Sequence, residues 1–229
     1  MLLNYLFSGL PFSDIIKYLA FGLCSVVITL TLHELSHGLM AYALGDDTAK
    51  KAGRLTLNPV AHIHPIGFIM LLLFGFGWAN PVPIRARNFK NVRLGIILTA
   101  IAGPLANFII GFLAVFGSVA VLYSMSVSGQ DSVPLQNLYT FLSFLASISI
   151  GLGVFNLIPF PPLDGSKIVG ELLPSNARFK YYSLEKYSSY IFIAVIILLD
   201  RFDFIGIAVN WVGNLFYNGA YALLLLFVR

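Results

Sequence analysis

The stretch Leu30 to Met40, LTLHELSHGLM, places two histidines four residues apart with a glutamate directly after the first. On a helix, His33 and His37 project from one face one turn apart, so both imidazoles can reach a single metal ion with Glu34 beside it. Zinc suits two imidazoles and a carboxylate with a fourth position left for water. It lowers that water's pKa toward 7, and Glu34 is placed to take the proton. A lone histidine in an apolar helix is usually satisfied by a polar group on a neighbouring helix. Here three ionisable groups stand in metalloprotease order inside an apolar run, where a charge at a helix centre costs roughly 2.5–3.5 kcal/mol to insert. The coincidence reads as a metal site.

Such a site needs a third protein ligand, and the chain has only 10 acidic residues. Asp164 stands out in FNLIPFPPLDGSK. Pro159, Pro161 and Pro162 disfavour helix and Gly165 permits a turn, which predicts an unwound chain able to aim a carboxylate inward. Taken alone, a stretch rich in Pro, Asp and Gly is more often a surface turn. Asp164 becomes a ligand as the partner of HELSH.

The elements that must position these residues are membrane helices. Of the 229 residues, 58% are hydrophobic and 10% charged, a balance no ordinary soluble domain shows. Apolar segments at about 18–44, 94–123, 136–159, 187–199 and 204–227 approach or meet the ~20 residues of a span. The stretch Pro65 to Ile84 does not: its uninterrupted part, Phe68 to Phe74, is too short, and Gly75, Gly77, Pro81 and Pro83 interrupt the remainder. We expect a re-entrant or interfacial β-hairpin-like segment lining the site, because irregular backbone at membrane depth is tolerated only against protein or a watery cavity. The expected fold is all-α and polytopic, with five to six transmembrane helices.

If that segment does not cross, Lys50, Lys51, Arg54, Arg85, Arg87, Lys90 and Arg93 share one face with Lys167, Arg178, Lys180 and Lys186. That face is expected to be cytoplasmic. The loop from Ser124 to Leu135 carries Asp131 and no Lys or Arg. The net charge of +4 comes with no nucleic-acid motif, so nucleic acid is not an expected partner. The one cysteine, Cys24, reads as a helix-packing residue. The N-terminus shows no cleavable signal pattern, so the first span is expected to insert itself.

HELSH in a first core span, GPLAN in a second and NLIPFPPLDG ending a third resemble the site-2 protease family of intramembrane zinc metalloproteases. The resemblance covers roughly Thr29 to Lys167 and includes GRLTLNPVAHIHPIG and GWANPVPI, as in compact prokaryotic members without regulatory domains. It implies one Zn2+ per chain held by His33, His37 and Asp164, with Glu34 as general base. Asn107 matches a family position near the active site, where its amide serves either the developing oxyanion or helix packing. His64 stands where many compact relatives have Asp, and Ser166 replaces a frequent glycine. His62 and His64 read as loop or interface residues.

The implied activity is cleavage of peptide bonds in or near transmembrane segments of other membrane proteins. A single protease domain over 1–229 is expected, with a catalytic core at about 18–167 and a C-terminal helical hairpin at about 178–229. Its partners would be substrate transmembrane segments and the lipid bilayer of a cell membrane, with the site opening toward the cytoplasm. The oligomeric state is left open by the sequence. An ion or proton transporter would need polar residues along a path through the membrane, whereas the polar cluster here is confined to one depth. Retention of Glu34 argues against an inactive scaffold.

Overall fold

A computed structural model describes residues 9–74, 79–129, 131–194 and 203–227. Its helices are α1 (Phe12–Ala43), α2 (Thr48–Lys51), α3 (Pro65–Phe74), α4 (Val92–Ser128), α5 (Val133–Asn156), α6 (Asp164–Leu172), α7 (Ser175–Tyr182) and α8 (Phe204–Phe227). Residues 188–194 are also helical. Among the described residues, α1, α4 and α5 are long and apolar enough to cross a membrane. Residues 195–200 lie outside the described residues, so the expected fourth span is seen only in part. α8 is helical over 24 residues and packs on α4 and α5.

The helices begin and end where local chemistry dictates. α4 starts at Asn91, whose side chain accepts the Leu94 amide, and ends at Gly129 in the left-handed conformation. α5 has Pro134 in its first turn, where a missing amide costs nothing. α4 is the central element and contacts α1, α5, α6 and α8. Its buried face is small or polar, with Thr99, Gly103, Asn107 and Gly111, while Leu105, Ile109 and Leu113 are exposed. Small residues let helix backbones approach closely where apolar association has little driving force, and the outward apolar side chains suit lipid. An apolar cluster of α4, α5 and α8, including Val115, Ile150 and Ala220, fills the far part of the bundle.

The stretch from 65 to 84 departs from the expected hairpin. Pro65–Phe74 is a ten-residue helix, and no strand is present among the described residues. A short apolar run carries too little periodicity to separate helix from strand. Residues 75–78, with the expected Gly75 and Gly77 breaks, lie outside the described residues. From Ala79 the chain is non-helical, paired with the preceding loop through one antiparallel bridge, Ile63 to Ala79, and the Asn80 amide on the His62 carbonyl at 2.7 Å. Cys24 also differs from expectation: it is exposed on α1.

The end of α1, the start of α4 and the end of α5 meet on one side of the bundle. Two polar anchors shape the chain there. Asp46 is fully buried just past α1 and accepts the Arg85 amide at 2.6 Å and the Asn88 side-chain amide at 2.7 Å. Arg54 reaches the carbonyls of Asn80 and Pro81. Together they hold residues 79–85 beside α1.

Candidate metal centre

His33, Glu34 and His37 lie in the last third of α1 and are buried, with 4%, 8% and 6% of their surface exposed. The two imidazoles meet edge to face with centroids 4.6 Å apart. Gly103 of α4 makes room for them. A Cβ at that position would overlap His37 Nε2 and lie 2.7 Å from His33 Cε1. The backbone of α4 therefore approaches both rings closely, and only glycine permits it.

Asp164 is brought to the same point from the other side. It is the first residue of α6, so the carboxylate sits on a helix start and not within unwound chain as expected. The unwound part is the preceding 157–163. Gly165 acts through space and not through a turn: a Cβ there would collide with the Leu157 carbonyl, so glycine lets α6 begin directly against the end of α5. Ser166 bonds back to the Leu163 carbonyl at 2.7 Å.

The three donor atoms form a near-equilateral triangle. His33 Nε2 is 3.0 Å from His37 Nε2, and Asp164 Oδ2 is 3.2 Å from the first and 3.1 Å from the second. A tetrahedral zinc with ligands at about 2.0–2.1 Å spaces its donor atoms about 3.3 Å apart, so this donor set fits that ion in type and spacing. Among the described residues it is the group of His, Cys, Asp and Glu able to hold a metal. Glu34 stands beside it and accepts the Val82 amide at Oε2, 3.1 Å away.

Each of the three donor residues is held by a second partner. His37 Nδ1 donates to the Thr99 carbonyl at 2.7 Å, which leaves the Nε2 lone pair available to a metal. His33 Nδ1 lies 2.9 Å from the side-chain amide of Asn107, a fully buried residue whose Oδ1 has no partner among the described residues. Turned end for end, that amide fills the same space, and His33 Nδ1–H then donates to Oδ1 and frees Nε2 as well. Lys167 bonds Asp164 Oδ1 at 3.0 Å, leaving Oδ2 to the histidines. His62 and His64 do not enter the cluster. His62 is buried in the loop and donates Nε2–H to the Thr56 carbonyl at 2.9 Å.

The triangle and Glu34 open into a cavity of about 660 Å³, walled by Pro81, Val82 and Ile84 on one side and by Leu152, Phe155 and Phe192 on another. Paired histidines, a carboxylate able to join them on a metal and a second carboxylate beside them in a cleft suit zinc hydrolysis. Comparison with known proteins agrees. Residues 121–199, which include Asp164, match the model of peptidase family M50. The chain is 41% identical over 174 residues to the "Putative zinc metalloprotease YwhC" of Bacillus subtilis (strain 168), covering 76% of this chain and 78% of that one. The chain belongs to peptidase family M50, the site-2 protease family. It is a zinc metalloprotease and a membrane protein. It is also 26% identical over 178 residues to the "Putative zinc metalloprotease Rip2" of Mycolicibacterium smegmatis, covering 76% of this chain and 64% of that one. A streptococcal relative, "Putative zinc metalloprotease SPs1691" of Streptococcus pyogenes, is 33% identical over 116 residues, half of this chain and a quarter of its own. No solved structure matches.

Of the partners of the three donor residues, sequence reading reaches Asn107 and misses Thr99 and Lys167. Thr99 acts through its backbone, which leaves no residue signal, and Lys167 reads only as one more basic residue.

Proposed function

We propose that this metalloprotease is an intramembrane endopeptidase of the regulated intramembrane proteolysis type, acting on peptide bonds in or near transmembrane segments of other membrane proteins. The observation that carries the reading is the buried donor triangle beside Glu34, set in a cleft near the ends of helices apolar enough to span a membrane. His33, His37 and Asp164 hold one zinc ion. Bound there, zinc supplies a Lewis acid that acidifies water and polarises a carbonyl. Glu34 takes the proton of the attacking water on Oε1 and delivers it to the leaving amine, while Oε2 stays on the Val82 amide. Asn107 holds the His33 tautomer, which replaces the oxyanion role as the reading its geometry supports best.

The substrate helix unwinds locally, since helical hydrogen bonds hide its carbonyls, and lies extended along residues 79–84. Pro81 and Pro83 have no amide to donate, and Asn80 and Val82 direct theirs to the His62 carbonyl and to Glu34, so the Ile84 amide is the donor that residues 80–84 offer. The protein is multi-pass, with five to six spans: residues 187–199 and α8 join α1, α4 and α5. The segment at 65–84 re-enters without crossing, and the basic loops and the mouth of the site face the cytoplasm. The chain forms one protease domain, with residues 178–229 as a C-terminal helical hairpin.

Purified protein in proteoliposomes with a single-span reporter tests this. The expected result is zinc-dependent cleavage, with mass spectrometry placing the cut in or next to the hydrophobic segment. Cleavage confined to soluble peptides would contradict it.

A further inference from the structure

Glu171, near the end of α6, is a buried carboxylate that the proteolytic reaction does not use. It is 4% exposed, and both oxygens are taken by α7: Arg178 Nη1 donates to Oε2 and the Tyr182 hydroxyl to Oε1, each at 2.8 Å. Burying an ion pair gives little or no net stability against an apolar replacement, so such a pair is better explained by what it fixes in place. What it fixes is read from α6. Asp164 and Glu171 are seven residues apart, two turns, so they return to the same face of the helix to within about 20°. One end of that face holds Asp164 in the metal triangle, and the other is gripped by α7.

α6 cannot hold itself. Nine residues are too few for a helix to stand alone in water, and this one is not a span. Its position is set by packing on α4 and by contacts at its ends. The ring of Tyr182 lies flush on Gly170, where an added Cβ would come within 2.8 Å of it. Arg93, in the first turn of α4, donates to the Leu173 carbonyl at 2.7 Å. The neighbouring Tyr181 donates to the Pro159 carbonyl at 2.6 Å, on the unwound chain before Asp164. Two consecutive tyrosines thus grip the chain on either side of the aspartate. Burial and the bond to Glu171 hold the Tyr182 phenol above its ordinary value, so it remains a donor throughout the neutral range.

We propose that α7 is a clamp that positions the third zinc ligand: Arg178 and Tyr182 on Glu171 and Tyr181 on Pro159 fix α6 and the preceding loop, and through them the direction of Asp164. This rests on the proposed ligand role of Asp164. Tyr182, Arg178 and Glu171 are positioning residues and touch no reacting atom. Removing a partner that orients a metal ligand typically weakens metal binding 10–100-fold.

The test uses the purified full-length protein in detergent, measuring the zinc dissociation constant by chelator competition, the visible spectrum of the cobalt-substituted protein, and thermal unfolding. Tyr182→Phe and Arg178→Met are expected to raise the zinc dissociation constant about 10-fold or more and to alter the cobalt spectrum, while Arg178→Lys, which keeps the charge, recovers part of the loss. Glu171→Ala removes the whole clasp and serves where it folds. Wild-type metal affinity and spectrum in Tyr182→Phe and Arg178→Met, with or without a fall in melting temperature, would overturn the proposal and leave α7 as a structural support. Asp164→Ala measured alongside separates this from the ligand assignment, for if that variant keeps wild-type affinity, it is Asp164 and not the clamp that has failed.

Discussion

The two halves of the candidate metal site are held in different ways. His33, Glu34 and His37 sit on a 32-residue helix clamped between two other long helices, so their positions are set by packing along its length. Asp164 sits at the tip of a nine-residue helix that packs on α4 and the end of α5 and is tied at its far end by polar contacts. One half is held by packing along a long helix, the other by a short packed helix together with a few directed hydrogen bonds. The first is expected to tolerate loss of a single contact better than the second.

Removing ligands sharpens that comparison most. His33→Ala or His37→Ala should abolish both zinc occupancy and cleavage. Asp164→Ala should lower both, less severely, because two imidazoles remain on a rigid helix. Metal analysis by plasma emission with a parallel reporter assay checks this, and equal retention of zinc in all three would break the ligand set.

Next in size is an insertion into the rigid half. Gly103→Ala forces a methyl against both imidazoles. Overpacking of this kind costs about 1–3 kcal/mol, so both melting temperature and zinc affinity should fall. A variant with unchanged metal affinity would show that α4 does not confine the rings.

The smallest effect concerns Asp46, which ties residues 79–85 to the end of α1. Burial pushes its carboxyl up, but bonds from Thr48, Arg85 and Asn88 outweigh it and hold the pKa below the usual carboxylate value. A depressed folded-state pKa stabilises at pH values above the unfolded one and is lost as pH falls through the folded one. Asp46→Asn should therefore lower stability by about 1–3 kcal/mol at neutral pH. That difference should hold down to about pH 5 and shrink in stronger acid. Thermal unfolding of both proteins across that range measures it, and a gap that widens in acid would contradict the assignment.

The same comparison explains what is legible in the sequence. Spacing alone puts His33 and His37 on one face, because a helix has one geometry, and long apolar runs announce α1, α4 and α5. Asp164 is legible only beside HELSH, and its surroundings only in part. Gly165 looks like a turn residue but serves a close approach to Leu157, a fact that exists only once α5 and α6 are packed. The helix α3 is hidden because a short apolar run fits either secondary structure. The grip of Arg178 and Tyr182 on Glu171 joins residues of ordinary type across a turn between two helices, and no local pattern distinguishes them from surface residues.

The central claim is that Glu34 moves protons while His33, His37 and Asp164 hold the metal. Glu34→Gln keeps side-chain size and one oxygen acceptor for Val82, so the purified variant should carry zinc near one per chain, as wild type does, and cut no membrane reporter. A Glu34→Gln protein that cleaves, or one that has lost its zinc, would contradict the account.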